Sequence, residues 1–174
     1  MNENENFEVK DYNSKQHYVM VKSWFDKLEN DGWKPPNKEW LENGLIIENY
    51  CAVWLQLCPL WNNKNKNHIG FMWPVISDVD SNKDKKDKAI DILLQSVIEK
   101  AKEYKCNFVY AITSNNSLVK RLNKRHNMLI AEDKMTSLIL PIGSQEDISL
   151  ECMVDDKYAD KFPENISVWC INTR

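Results

Sequence analysis

The chain has 174 residues, of which 43% are hydrophobic and 28% are charged, as is typical of a globular protein with one core, and it is short for two domains. Its net charge of −3 at pH 7 excludes a general electrostatic affinity for nucleic acid, so any such contact would need a local basic patch. No apolar run approaches the roughly 20 residues that cross a membrane, and the N-terminus is polar and acidic rather than a secretory signal, so we expect a cytoplasmic protein.

The N-terminal part of the chain predicts a strand followed by a helix. Phe7 to Tyr12 alternates apolar and polar residues, as an edge strand does. From Tyr18 to Leu28 apolar residues recur at steps of three and four, which indicates a helix that ends near Asp31-Gly32.

A break and a hairpin come next. Pro35-Pro36 interrupts the chain, and Asn37 is placed to cap a short helix through Leu41. The apolar segments 45–48 and 51–57 are separated only by Asn49-Tyr50, which predicts two antiparallel strands joined by a tight turn.

The middle of the chain alternates strands with helices. A strand from His68 leads through a charged, glycine-free turn, residues 77–88, into a helix with one apolar stripe: Ile90, Leu93, Leu94, Val97, Ile98, Ala101 and Tyr104. Asn107 to Thr113 is apolar on both faces, as a central strand is. Asn115 and Asn116 precede a shorter helix that ends at Asn127, a residue that tolerates a left-handed backbone.

The C-terminal part adds two strands, Lys134 to Pro141 and Ile166 to Ile171. Strand-helix-strand units after an antiparallel start favour an α/β fold, with a mixed sheet and helices on both faces. We expect one domain over residues 1–142. Residues 143–174 should form an ordered extension packed on it, because they are too apolar for a disordered tail.

Several common cofactor and metal motifs are missing. The four glycines, at positions 32, 44, 70 and 143, form no glycine-rich loop of the Rossmann or Walker kind. The five cysteines include no Cys-x-x-Cys pair, so we expect them to be reduced and mostly buried. Asp78-x-Asp80-x-Asn82-x-Asp84 has oxygens at the odd positions of a calcium loop but lacks the glycine and glutamate which that loop requires, so we predict no metal site.

The charged turn at residues 77–88 has two interpretations. A strand that runs into a helix N-terminus directs unpaired N–H groups and the positive end of the helix dipole at one point, which suits a phosphate or pyrophosphate. The lysines at 83, 85, 86 and 88 add positive charge there. In the alternative interpretation, these charges only keep an exposed connection soluble.

The order of elements and three segments resemble the GNAT superfamily of N-acetyltransferases, and more narrowly its small bacteriophage and prophage members. The segments are Met20-Val21-Lys22-Ser23-Trp24, Gly44-Leu45-Ile46-Ile47-Glu48 and Asn115-Asn116-Ser117-Leu118-x-Lys120-Arg121. The resemblance covers roughly residues 7 to 141. It implies a GNAT-like acyl-CoA N-acyltransferase fold of about seven strands, splayed between parallel strands at 68–76 and 108–113.

The resemblance implies acetyl-CoA as co-substrate. Backbone groups of Val75, Ile76 and Ser77 would bond its pantetheine arm. The other implied contacts are at the helix start and at the next helix: Lys83, Lys85, Lys86, Asp87, Lys88, Ala89, Asn115 and Asn116. Of the family motif Gln/Arg-x-x-Gly-x-Gly/Ala, only Ala89 matches, because Asp84 and Asp87 replace the basic residue and the first glycine.

The implied reaction is direct attack of a primary amine on the thioester. Many family members use a tyrosine as the acid, whereas Leu122 or Asn123 stands at that position here. The usual carboxylate of the pantetheine strand is also missing. Glu48 is the candidate catalytic residue, as a base. In the alternative interpretation, Glu48 is an ordinary turn residue beside Asn49.

Two classes of function therefore stay open. The first is an N-acetyltransferase that acts on an amine-bearing small molecule or protein. The second is a catalytically inactive GNAT-fold phage accessory protein that binds another protein. The retained strand and helix favour the first class, which we adopt. Membranes and nucleic acid are not expected partners, monomer and homodimer both stay open, and a phage-encoded chain would lie in the host cytoplasm.

Overall fold

The computed structural model describes residues 7–28, 34–59, 68–113, 115–130, 136–141, 148–150 and 166–168. The helices are α1 (Ser14–Asp26), α2 (Lys83–Glu103) and α3 (Asn116–His126), with a short 3-10 helix at Lys38–Trp40. The strands are β1 (Lys10–Asp11), β2 (Gly44–Ile47), β3 (Cys51–Pro59), β4 (His68–Ser77), β5 (Cys106–Thr113), β6 (Leu129–Ile130), β7 (Thr136–Pro141), β8 (Ile148–Leu150) and β9 (Ile166–Val168). Among these helices, none is both long and apolar enough to cross a membrane.

Seven strands form one mixed sheet, in the order β1-β2-β3-β4-β5-β7-β6. β4 and β5 are parallel, whereas β2 is antiparallel to β1 and β3, and β7 is antiparallel to β5 and β6. β8 and β9 form a separate parallel pair. The predicted mixed sheet of about seven strands is confirmed. The packing of residues 143–174 on the domain stays a prediction.

The parallel pairing of β4 with β5 covers only the first part of β4. Paired positions run from His68–Cys106 to Phe71–Tyr110. No further pair joins the two strands, although both are described along their whole length. Pro74, which has no N–H group, lies in the part of β4 beyond these pairs. The two strands are thus parallel and bonded over part of their length, as expected.

Contacts divide the chain into two compact units, residues 1–56 with 72–100 and residues 57–71 with 101–174. The first unit has a core in which α1 packs on the sheet, formed by Val21, Trp24, Phe25, Leu41, Ile46, Ala52, Trp54 and Ile76. In the second unit, buried apolar side chains come mainly from β5 and the end of α3: Cys106, Phe108, Val109, Ala111, Leu122 and Met128. Burial of apolar area, worth about 25 cal/mol per Å², stabilises both units.

The helices agree with the sequence pattern except at some of their ends. α1 ends at Asp26, before the predicted stop at Asp31-Gly32, which lies outside the described residues. Asn37 precedes the 3-10 helix, but its side chain makes no capping hydrogen bond. Asn127 ends α3 with a φ of 55°, the left-handed conformation that was predicted.

The shortest strands differ most from the prediction. β1 contains only two of the residues expected between Phe7 and Tyr12. β6 and β8 have no counterpart in the sequence interpretation, because two or three residues are too few for an alternating pattern. The ladder hydrogen bonds of these strands come from a neighbouring strand.

The cysteines in the described residues are free thiols, as expected. Cys51 and Cys106 are buried, whereas Cys58 is exposed. Burial raises the pKa of the Cys106 thiol to about 11, so this thiol is protonated at neutral pH. Cys152 and Cys170 lie outside the described residues.

Gly44 allows β2 to lie directly against the indole of Trp54. An added Cβ at position 44 would be 2.5 Å from both Cδ1 and Nε1 of Trp54, closer than real Cβ atoms come to other atoms. Trp54 is 0% exposed and belongs to the core of the first unit, so it cannot move without disturbing its neighbours. Packing, rather than a turn, therefore requires glycine here.

Gly44→Ala should lower the free energy of unfolding by about 1–3 kcal/mol, the usual cost of overpacking a core. Thermal unfolding followed by circular dichroism measures this as a fall in melting temperature of roughly 2 to 10 °C. Trp54→Leu removes the clashing atoms, so Gly44→Ala should cost less in that background. An equal cost in both backgrounds would contradict the packing explanation.

Candidate functional site

The residues for which the resemblance implies pantetheine contacts, Val75, Ile76 and Ser77, are the last three of β4. Ile76 is 4% exposed and packs in the core of the first unit, whereas Val75 and Ser77 are half-buried. All three residues follow Phe71, the last position at which β4 pairs with β5. Their backbone groups on that edge of β4 thus have no β5 partner. A strand edge without a pairing strand can bond an extended ligand as an added strand.

The start of α2 differs from the prediction. The helix begins at Lys83, so the lysines at 83–88 lie on its first turns rather than in a turn before it. Oδ1 of Asn82 accepts hydrogen bonds from the N–H groups of Asp84 and Lys85, both at 3.1 Å. Asn82 is thus an N-cap, and it satisfies two of the N–H groups that a helix start leaves open. An anion at this point would share or replace the Asn82 oxygen.

Asp78 organises the turn between β4 and α2. Its N–H donates to the Tyr50 carbonyl at 2.9 Å, and its Oδ1 accepts from the N–H of Asp80 at 3.1 Å. Nζ of Lys27 lies 2.7 Å from both the Asp78 and the Asp80 carboxylates. Nζ of Lys86 donates to the Asp78 carbonyl at 3.0 Å. The turn is therefore held by three other segments of the first unit: the β2–β3 turn, the residue after α1, and α2.

These contacts decide the charge state of the turn. Burial acts to raise the pKa of Asp78, but the hydrogen bonds from Lys27 and Asp80 and the charges of Lys27 and Lys86 outweigh it, so the pKa is lowered. The hydrogen bonds to Asp78 and Asp80 raise the pKa of Lys27. The Asp78 carboxyl and the Lys27 amine are thus both ionised at neutral pH.

The remaining predicted residues of the helix start differ in exposure. Lys83, Lys85 and Lys88 are exposed, Asp87 is half-buried, and Ala89 is fully buried against the core. Lys86 is occupied by the carbonyls of the turn. Of the four lysines, three therefore have the exposure that an anion would need.

The side chains of the calcium-like pattern, Asp78, Asp80 and Asn82, make contacts within the protein. The carboxylates of Asp78 and Asp80 face Lys27, and the Asn82 oxygen caps α2. Within the part of the chain that is described, no group of three or more His, Cys, Asp or Glu side chains is placed to hold a metal ion.

Glu48 lies in the turn after β2 with two basic neighbours. Its Oε1 is 3.2 Å from Nζ of Lys10 and 3.5 Å from Nε2 of His17. Nδ1 of the buried His17 accepts a hydrogen bond from the Asn13 N–H at 2.9 Å, so the proton of a neutral ring is on Nε2, facing Glu48. The contact with Glu48 is the main cause that raises the pKa of Lys10. The sequence singled out Glu48 but gave no signal for these neighbours.

Asn115 and Asn116 lie in the second unit, whereas the other predicted cofactor residues lie in the first. Oδ1 of Asn115 accepts from the N–H groups of Ser117 at 2.9 Å and Leu118 at 3.1 Å, which caps α3. Asn116 is the exposed first residue of that helix. Helix capping explains why an asparagine stands at position 115. The contact of Asn115 and Asn116 with a cofactor stays a prediction.

Solved structures with a similar fold include N-acetyltransferases. The ribosomal-protein-alanine N-acetyltransferase of Brucella melitensis is 15% identical, with a TM-score of 0.55 over 78% of this chain and 99% of that chain. A GNAT-family acetyltransferase of Streptococcus pneumoniae is 14% identical, with a TM-score of 0.55 over 78% and 99%. The yncA protein of Salmonella typhimurium, solved with its cofactor acetyl-CoA, is 12% identical, with a TM-score of 0.58 over 78% and 94%.

No protein-family model matches the sequence, and no curated protein matches it significantly. The structural similarity nevertheless covers almost the whole of the compared chains. The chain therefore has the fold of the GNAT acetyltransferases, as its resemblance to them implied.

Lys27→Met should destabilise the protein at pH 7 and much less in acid. A carboxyl with a lowered pKa in the folded state adds stability above its unfolded pKa, and that stability is lost as the pH falls through the folded value. The ordinary pKa of the Asp78 carboxyl is 3.8, so the difference in melting temperature between wild type and variant should shrink below about pH 4.

Lys22→Met is the matched control, because it removes an exposed pair with Asp26, also at 2.7 Å. It should change the melting temperature by less than Lys27→Met at pH 7. A difference between wild type and Lys27→Met that is the same at pH 7 and at pH 3 would show that Asp78 is not the partner that matters.

Proposed function

We propose that this protein is an acetyl-CoA-dependent N-acetyltransferase that transfers the acetyl group directly to a primary amine. The observation that carries the proposal is the end of β4, whose edge has no β5 partner beyond Phe71 and which runs through a fixed turn into the start of α2. A strand edge suits an extended arm with amide groups, and a helix start suits an anion. The acetyl-CoA bound to yncA, a protein of similar fold, supports this proposal.

In this proposal the backbone groups of Val75, Ile76 and Ser77 bond the pantetheine arm. The exposed side chains of Lys83, Lys85 and Lys88 provide positive charge for the pyrophosphate. Asp84 and Asp87 act against it, because each adds a negative charge near the same helix start. The opposed charges favour a modest affinity.

Glu48 is the proposed general base. It takes a proton from the acceptor ammonium, directly or through a water molecule, so that the neutral nitrogen can attack the thioester carbonyl. A new N–C bond forms and the C–S bond breaks. The proton that the nitrogen loses as it becomes an amide passes to the sulfur, so CoA leaves as the thiol. Lys10 and His17 both face Oε1 of Glu48, so we assign the proton to Oε2. A backbone N–H of β4 would stabilise the oxyanion.

The proposal also includes expectations about the acceptor, the origin, the location and the oligomeric state of the protein. The acceptor is an amine-bearing small molecule or protein. The resemblance also implies an origin in a phage or prophage genome, and the sequence leads us to expect a cytoplasmic location, while monomer and homodimer both stay open.

Acetyl-CoA should bind the full chain weakly, and calorimetric titration measures the affinity. Lys83→Ala combined with Lys88→Ala should weaken binding roughly 3- to 10-fold, since two exposed charge contacts together are worth about 1 kcal/mol. Lys102→Ala, near the other end of α2, is the matched control and should bind like wild type.

Two outcomes would count against this assignment. Binding that is equal in wild type and in the double variant would place the pyrophosphate away from the start of α2. If wild type binds no acetyl-CoA up to millimolar concentration, the acetyltransferase proposal is wrong, and an inactive GNAT-fold module that binds a protein becomes the better explanation.

Glu48→Gln should reduce turnover about 10²- to 10⁴-fold, the usual effect of removing a general base. Release of CoA thiol from acetyl-CoA, with a panel of polyamines and lysine peptides, measures the rate. Glu8→Gln is the matched control, because Glu8 also pairs with Lys10, at 3.3 Å, and is more exposed than Glu48. Glu8→Gln should keep the rate. If Glu48→Gln also keeps it, Glu48 is not the base.

A further inference from the structure

His17 is a polar residue of α1 that lies in the interior of the first unit, where it is only 6% exposed. Both nitrogens of its ring have a polar neighbour. Nδ1 accepts a hydrogen bond from the Asn13 N–H at 2.9 Å, and Nε2 lies 3.5 Å from Oε1 of Glu48. The ring therefore connects the start of α1 to the carboxylate of the proposed general base.

The start of α1 fixes the position of this ring. The Asn13 carbonyl accepts from the His17 N–H at 2.8 Å, so residue 13 bonds both the backbone and the ring of His17. The Tyr12 ring lies beside the imidazole, with centroids 5.7 Å apart. The Tyr12 N–H donates at 2.8 Å to the Gly44 carbonyl in β2, the strand that Glu48 follows. The segments that carry His17 and Glu48 are thus bonded to each other.

The contact with Asn13 determines which ring nitrogen carries the proton. An N–H group can bond to Nδ1 only when Nδ1 has no hydrogen, so the proton of the neutral ring is on Nε2, the nitrogen near Glu48. A second proton, on Nδ1, would face the Asn13 N–H and break this bond. His17 thus offers Glu48 a neutral N–H donor, which can orient a carboxylate without neutralising its charge.

Lys10 is the other neighbour of Oε1, but it is less able to orient Glu48. Its Nζ lies 3.2 Å from Oε1 of Glu48 and also 3.3 Å from Oε2 of Glu8. Its side chain is 39% exposed, against 7% for His17. An exposed lysine that is shared by two carboxylates must lose rotamer freedom to hold either one. The buried ring has already lost that freedom on folding.

The 3.5 Å between Nε2 and Oε1 exceeds the length of an ordinary N–H···O hydrogen bond, about 2.7–3.2 Å. Hydrogen bonds of catalytic groups are often long in the absence of substrate and become shorter in the complex. Glu48 lies in a turn and its side chain is 42% exposed, so its carboxylate is free to approach the fixed ring.

We propose that His17 is a positioning residue for Glu48, a role that rests on the proposed acetyltransferase function. Nε2–H bonds Oε1, which turns Oε2 toward the acceptor ammonium whose proton it takes. His17 acts through the carboxylate rather than on the substrate. A displacement of about 1 Å can cost up to about 10²-fold in rate, so a buried ring that fixes the base affects the reaction.

His17→Gln and His17→Leu together test this role. Both lose the Nδ1 acceptor for the Asn13 N–H, but only glutamine keeps an N–H donor for Glu48. His17→Leu should lower kcat roughly 10- to 100-fold with little change in the KM for acetyl-CoA, because it affects only the chemical step. His17→Gln should retain most of the rate. His68→Leu, the same kind of substitution at the start of β4, is the control and should keep the rate.

The Glu48→Gln background separates this role from a general structural effect. If His17 acts through the carboxylate, His17→Leu should reduce the rate little further once that carboxylate is gone. An equal loss in both backgrounds would overturn the proposal. Equal rates for His17→Gln and His17→Leu would overturn it as well.

NMR of the imidazole nitrogens in the full chain measures the contact without any turnover. At mildly alkaline pH the His17 ring, assigned through its contact with the Tyr12 ring, should be protonated at Nε2. The Nε2 signal should shift in Glu48→Gln and stay in place in Glu8→Gln. A ring protonated at Nδ1, or a signal that is unchanged in Glu48→Gln, would overturn the proposal.

The two measurements also distinguish the failure of this proposal from the failure of the proposed function. If the NMR signals show the contact and the wild type transfers no acetyl group, the acetyltransferase function is wrong, and the role of His17 in it falls with it. If the wild type is active, Glu48→Gln is slow and His17→Leu is fast, only the role of His17 is wrong.

Discussion

Asp78 is the residue on which the geometry of the β4–α2 turn depends. Its N–H bonds to Tyr50 in the β2–β3 turn, its carboxylate to Lys27 after α1, and its carbonyl oxygen to Lys86 on α2. The Asp78 side chain is only 19% exposed, so water and salt screen its ion pair less than a pair on the open surface. These contacts hold the turn in one shape, and a preorganised turn would lose less entropy in the ligand binding that we propose.

The same contacts reduce the positive charge that this turn can offer to an anion. Lys27 and Lys86 are already engaged with Asp78, and the Asn82 oxygen occupies two N–H groups of α2. Lys83, Lys85 and Lys88 stay exposed, so salt in the solvent weakens the effect of their charges. A helix start that is capped by the side chain of Asn82 thus stands where the resemblance to GNAT proteins implied a glycine motif.

The sequence by itself determined the elements whose causes are local. The apolar stripe of α2 predicted a buried helix face, and Leu93, Leu94, Val97 and Ile98 are indeed buried. Asn115 and Asn127 marked both ends of α3, because capping and left-handed backbone depend on residues within a few positions. The hairpin at Asn49-Tyr50 followed from turn chemistry in the same way. Resemblance then placed the candidate cofactor residues on β4 and α2.

Only the tertiary structure decided which of these residues meet. Lys27 and Asp78 are 51 positions apart, and Lys10 and Glu48 are 38 apart, so no periodicity in the sequence relates them. The end of the β4–β5 pairing and the two-residue strands depend equally on distant partners. An ion pair or a ladder hydrogen bond forms where folding brings two polar groups together. The hydrophobic pattern drives folding, but it does not indicate which polar groups become neighbours.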